Sequence, residues 1–104
     1  MKRLAFKMKL NSGQKKVYAK RHNEIWPELK QLLKDSGVNE YSIFFDADTD
    51  TLFAFQKVVG EDGSQDLVDN PIVKKWWDYM ADIMEVNTDN SPVSMPLEEV
   101  FYME

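Results

Sequence analysis

The sequence predicts an α+β domain in which a four-stranded antiparallel sheet carries helices on one face. Three observations predict it. Arg3–Leu10 alternates, with Leu4, Phe6, Met8 and Leu10 on one side and Arg3, Lys7 and Lys9 on the other, the period of a strand. From Gln14 to about Lys34, and again after Asn70, apolar residues recur at helical spacing. Between them EYSIFF (Glu40–Phe45) and TLFAFQKVV (Thr51–Val59) are separated by the five-residue acidic turn Asp46–Asp50, which reads as an antiparallel hairpin.

Each element has its own punctuation. Asn11-Ser12-Gly13 ends the first strand, and Ser12 is the expected N-cap of the first helix. Val17, Ile25, Leu29, Leu32 and Leu33 mark that helix. Pro27 lies inside it and cannot donate to the Asn23 carbonyl, so a kink or break is expected around His22–Trp26. Gly37 supplies the left-handed residue that closes the helix. Gly60–Gln65 is loop. Asn70-Pro71 is an N-cap followed by proline at the first helical position, with the helix expected to run to about Met84. Asn87, Asn90, Pro92 and Pro96 make Glu85–Pro96 an ordered irregular segment, and Leu97–Tyr102 is the expected last strand.

The resulting order, βαββαβ, is the ferredoxin-like sandwich. Two helices cover one face of its sheet. The middle strands are nevertheless apolar on both faces: Tyr41, Ile43 and Phe45 oppose Phe44, while Phe53 and Phe55 oppose Leu52, Ala54 and Val58. An antiparallel sheet with a wet face alternates apolar and polar residues. A second copy of the chain is the cover expected for the other face.

Composition narrows the function classes. The chain has 104 residues, enough for one domain, with 43% hydrophobic and 30% charged residues, an ordinary globular balance. Its longest apolar runs are a few residues, so no membrane span is expected, nor does the charged N-terminus read as a signal peptide. Zero cysteines exclude a disulfide framework and a thiolate nucleophile. The cytoplasm is the expected compartment. Residues 1–23 carry eight bases and no acid, whereas the remainder carries five bases and eighteen acids. With a pI near 4.9, this asymmetry reads as complementary surfaces or solvated faces in preference to a nucleic-acid footprint.

One histidine and no cysteine cannot build a multi-histidine or cysteine-containing metal centre. Asp46–Asp50 lacks the glycine and distal glutamate of a calcium loop, and no glycine-rich phosphate cradle or nucleophile elbow is present. No metal or cofactor is expected. What remains is modest acid–base chemistry: proton transfer, isomerisation, ring opening. His22 is the only side chain whose unperturbed pKa is near neutrality, and Tyr18 and Trp26 flank it at i−4 and i+4. Trp76 and Trp77, about 100° apart on a helix, cannot both face the centre of one narrow stripe, so one of them or Tyr79 is expected at an edge or cavity. Indole and phenol faces with a polar handle suit a sugar ring.

Four segments carry a more specific signal: KRHNEIWPEL (Lys20–Leu29), KWWDYM (Lys75–Met80), NSPVS (Asn90–Ser94) and EVFY (Glu99–Tyr102). Together they closely resemble the L-rhamnose mutarotase family, over essentially the whole chain and without gaps. The resemblance implies that His22 is a proton donor and that Tyr18, Tyr41, Trp76 and Trp77 contact the sugar. It also implies a ferredoxin-like domain that pairs into a dimeric α/β barrel, the arrangement expected above for the two-faced sheet. Glu24 departs from the family pattern, where proline often follows the His-Asn pair; that bears on the helix boundary. Two rival readings share the fold. A dimeric-barrel monooxygenase-like or haem-binding protein would use His22 as an axial ligand and show a Soret band. An RNA-binding module would need a basic-Gly-aromatic-Gly start that LFAFQKV lacks.

Overall fold

The computed structural model describes residues 1–104. Its elements are β1 (Lys2–Lys9), α1 (Lys15–Asn23), α2 (Pro27–Asp35), β2 (Val38–Asp46), β3 (Thr51–Val58), α3 (Pro71–Met80) and β4 (Ser94–Leu97). The sheet order is β2-β3-β1-β4 with every neighbouring pair antiparallel, as the ferredoxin-like order requires. No helix is long and apolar enough to cross a membrane.

The first helical segment is two helices. Pro27 opens α2 at its first position, and α1 ends at Asn23 with Glu24 as its C-cap. The break therefore falls within the expected interval, and Trp26 caps α2 instead of extending α1. Ser12 is not an N-cap: Gly13, at φ 80°, turns the chain, and α1 starts past Gln14 without a side-chain cap. Gly37 adopts φ 90° and donates its N–H to the Lys34 carbonyl at 3.0 Å. Asn70 caps α3 through its side-chain oxygen, which accepts from Ile72 N at 2.9 Å and Val73 N at 3.4 Å.

Two expected boundaries move for tertiary reasons. The helix expected to reach Met84 stops at Met80, because the Ile83 carbonyl is taken by the Asn11 N–H at 2.9 Å and Met84 bridges Leu10. The last strand is Ser94–Leu97, not Leu97–Tyr102. Beyond Leu97 the chain is held by side chains: Arg3 grips the Glu99 carboxylate at 2.7 and 2.8 Å and its guanidinium lies 3.4 Å over the Tyr102 ring. Pro96, without an N–H, is tolerated because β4 is an edge strand.

Three of the eight N-terminal bases pair with acids of the remainder and the others form no ion pair. Lys2 pairs with Glu61 at 2.9 Å, Arg3 with Glu99, and Arg21 with Asp82 at 2.8 Å. The core lies between one sheet face and the helices. Phe6 and Met8 of β1, Leu52 and Ala54 of β3, Leu29 of α2 and Val73, Trp76, Trp77 and Met80 of α3 form one buried cluster. The opposite sheet face carries Phe44 (69% exposed), Phe53, Met95 and Leu97, all exposed.

Candidate active site

A cavity of about 830 Å³ opens between the helices and the buried sheet face, within the size range of small-molecule sites. Tyr18, His22, Tyr41, Trp76 and Trp77 all line it. The structure thus brings together every residue that the sequence picked out as catalytic or substrate-binding. Both tryptophans are buried and both reach the cavity, since its wall wraps around more than one stripe of α3; Tyr79 is the residue left at the edge, 45% exposed.

His22 sits one helical turn after Tyr18, so its Nδ1 lies 3.1 Å from the Tyr18 carbonyl oxygen. A carbonyl can only accept, so Nδ1 carries the proton and donates it. In the neutral ring Nε2 then holds the free lone pair. The imidazole stacks on the Tyr18 ring, with centroids 4.2 Å apart, and meets the Trp76 ring edge-on at 5.4 Å. Burial pushes the His22 pKa below its usual value, opposed by the hydrogen bond to Tyr18, so the neutral form prevails at pH 7. Burial likewise raises the Tyr18 and Tyr41 phenols above their usual range.

Trp26 does not flank His22, contrary to the i+4 spacing, because the break at Glu24–Trp26 carries it off α1. It packs edge-on against Trp76 at 5.1 Å and stacks on Tyr79 at 5.7 Å, buttressing the cavity wall from behind. Arg21 fixes α1 against the end of α3. Its Nη1 donates to the Tyr79 carbonyl and to Asp82, both at 2.8 Å, and its guanidinium lies 4.4 Å over the Tyr79 ring. The Arg21 guanidinium in turn holds the Asp82 carboxyl below the usual carboxylate range.

Tyr41 alternates with Ile43 and Phe45 onto the cavity face, and an irregularity in β2 adds Val38 to it. The register shifts between Asn39 and Ser42, and Glu40 adopts φ 47°. Val38 and Tyr41 therefore both line the cavity, although residues three apart in a regular strand point to opposite faces.

Sequence reasoning missed a polar group at the same site. Gln56 is fully buried and Ser64 nearly so. Gln56 Oε1 accepts from the Ser64 N–H at 3.0 Å, and its Nε2 donates to Ser64 Oγ. Ser64 lines the same cavity as Tyr41. A signal was available: Leu52, Ala54, Gln56 and Val58 share the core face of β3, and an amide in that row must find partners inside the protein.

Fold and site define a ferredoxin-like α+β domain with an aromatic-walled small-molecule cavity and a single imidazole, unprotonated at Nε2, in its wall. The L-rhamnose mutarotase family profile matches residues 3–103. An L-rhamnose mutarotase of Formosa agariphila is 76% identical over 104 residues, and one of Phocaeicola vulgatus is 65% identical over 104 residues; each alignment covers all of both chains. The crystal structure of an L-rhamnose mutarotase from Formosa agariphila superposes with a TM-score of 0.92 at 72% identity, covering both chains completely. The chain belongs to the L-rhamnose mutarotase family.

Proposed function

We propose that this protein is an L-rhamnose mutarotase, exchanging the α and β anomers of the sugar by opening and reclosing the pyranose ring. The observation that carries the reading is the state of His22: Nδ1–H tied to the Tyr18 carbonyl, Nε2 free, in an aromatic-walled cavity with room for a monosaccharide. Relatives of 65–76% identity bearing that activity in their names support it.

Ring opening moves one proton from the anomeric hydroxyl to the ring oxygen, and both oxygens are bonded to C1. Neutral Nε2 takes the hydroxyl proton as the C1–O1 double bond forms and the bond from C1 to the ring oxygen breaks. It then hands that proton to the released ring oxygen. His22 is thus the proton donor to the ring oxygen, and the anomeric hydroxyl supplies the proton it donates. After rotation about C1–C2 the same steps run backwards on the other face, and the imidazole ends as it began. A depressed pKa suits this shuttle, because the ring must be free to accept at neutral pH. Such acid–base catalysis contributes roughly 10²–10⁴-fold. Trp76 and Trp77 take the apolar face of the sugar and its C6 methyl, while Tyr18 and Tyr41 hydrogen-bond hydroxyls.

The working unit in this reading is a homodimer. The exposed face with Phe44, Phe53, Met95 and Leu97 is covered by the same face of a second copy, closing the dimeric α/β barrel. Saturation-transfer NMR on L-rhamnose tests the activity. Irradiating one anomeric proton is expected to bleach the other at catalytic protein concentrations, and exchange no faster than in buffer alone would overturn the assignment.

A further inference from the structure

The segment Asn90–Ser94, one of the four stretches that stand out in the sequence, gives the cavity a wall that the proton transfer leaves unused. Pro92 is buried and lines the cavity together with Trp77. It has no N–H, and its carbonyl accepts from Asn87 Nδ2 at 3.4 Å, so the cavity meets its ring carbons. A short turn holds that ring. The Asn87 N–H donates to the Ser91 carbonyl at 2.8 Å, the Asn90 N–H donates to the Asn87 carbonyl at 2.9 Å, and Val86 bridges Pro92. Asp89 Oδ1 takes the Ser91 N–H at 3.0 Å. These bonds fix the shape of the turn, and its base is tied to β1 by the Glu85 N–H, which donates to the Lys9 carbonyl at 3.0 Å.

The tip of the turn is tied to α3 by a side-chain bond: Asn90 Nδ2 donates to Asp78 Oδ1 at 3.0 Å. Asn90 adopts φ 67°, a left-handed conformation taken readily by glycine and, among residues with a Cβ, chiefly by asparagine and aspartate. Asparagine is the one of these that meets both demands. Glycine has no side chain to reach Asp78, and aspartate would set two carboxylates against each other. Asp78 follows Trp77 in α3, so the bond joins the turn bearing Pro92 to the stretch of helix bearing Trp77. Neither Asn90 nor Asp78 itself lines the cavity.

Resting on the mutarotase reading, we propose that Asn90 and Asp78 are positioning residues whose clasp holds Pro92 in place beside Trp77 as a rigid apolar wall for the sugar. Neither residue touches the sugar; both act through the Pro92 ring.

The test compares Asn90→Gly, which keeps the left-handed backbone and removes the clasp, with Asp78→Ala, Asp78→Asn and Pro92→Ala. Asn90→Gly and Asp78→Ala are each expected to raise KM for L-rhamnose about two- to tenfold, the worth of one hydrogen bond, and by more than they lower the maximal rate. Combined, they are expected to raise KM no further than either alone. Asp78→Asn keeps an oxygen that accepts from Asn90 and is expected to keep wild-type KM. In the Pro92→Ala background, Asn90→Gly is expected to leave KM unchanged. If Pro92→Ala does not fold, the combined Asn90→Gly and Asp78→Ala variant carries the comparison. Wild-type KM in folded Asn90→Gly, KM rises that multiply in the combined variant, or an equal rise with and without Pro92 would overturn the positioning role while leaving the mutarotase reading intact. Wild-type protein without anomer exchange would overturn both.

Discussion

The two faces of the sheet are made from the same strands and obey opposite rules. On the helical face β3 presents Leu52, Ala54, Gln56 and Val58, all buried, and β1 adds Phe6 and Met8. That face is finished within one chain, and its single polar member, Gln56, is paired on both amide atoms. On the open face Phe44 and Phe53 pair across β2 and β3, with Met95 and Leu97 beyond Lys7 and Ala5 on β4. These side chains stand in solvent next to Arg3, Lys7 and Lys57. The difference teaches how a small sheet divides its labour. The face covered in cis is shaped finely enough to hold a cavity, while the other leaves its apolar side chains exposed.

The largest effect that separates the faces is expected at Trp77, which is 5% exposed. Trp77→Ala removes both core volume and cavity wall, so it should cost about 3–5 kcal/mol of stability by denaturant titration and also weaken L-rhamnose binding. A folded variant with unchanged sugar affinity would return Trp77 to a purely structural role and shrink the site. The open face should respond differently. Phe44→Glu introduces a charge where the chain alone leaves the ring 69% exposed. The monomer fold should therefore survive by circular dichroism, while light scattering should show dimer lost to monomer at micromolar concentration. A wild-type protein that is already monomeric there would break the argument for the open face without touching the helical one.

What could be read from the sequence follows the range of the forces involved. The Asn70-Pro71 start, the break before Pro27 and the left-handed Gly37 are set by neighbours a few residues away, and all three stand in the structure. His22, Trp76 and Trp77 stood out because an isolated imidazole and an aromatic pair are conspicuous in a chain with little other chemistry, whereas Tyr41 entered only through the family resemblance. The misplaced features depend on distant partners. β4 ends early because Arg3, at the other end of the chain, takes Glu99 and Tyr102. Trp26 leaves His22 because the break rotates α2 away from α1. The Gln56–Ser64 pair joins a strand to a loop eight residues on, and no local periodicity announces it. Val38 joins Tyr41 on the cavity face through a bulge that simple alternation does not foresee.

The central claim is that His22 moves the proton, and anomer-exchange NMR across pH in wild type and His22→Gln tests it most directly. Burial lowers the His22 pKa from its ordinary 6.5, and neutral Nε2 is the working form. Wild-type exchange should therefore hold through neutral pH and fall only on an acid limb below 6.5. The unfolded chain binds the His22 proton more readily than the folded one, so this residue's contribution to stability is complete above 6.5 and is lost as pH falls from there through the lower folded value. In a folded, dimeric His22→Gln protein, exchange at saturating sugar should drop roughly 10²–10⁴-fold toward background, and the acid limb should vanish. Near-normal maximal exchange in that variant, or an acid limb that persists without the imidazole, would contradict the assignment.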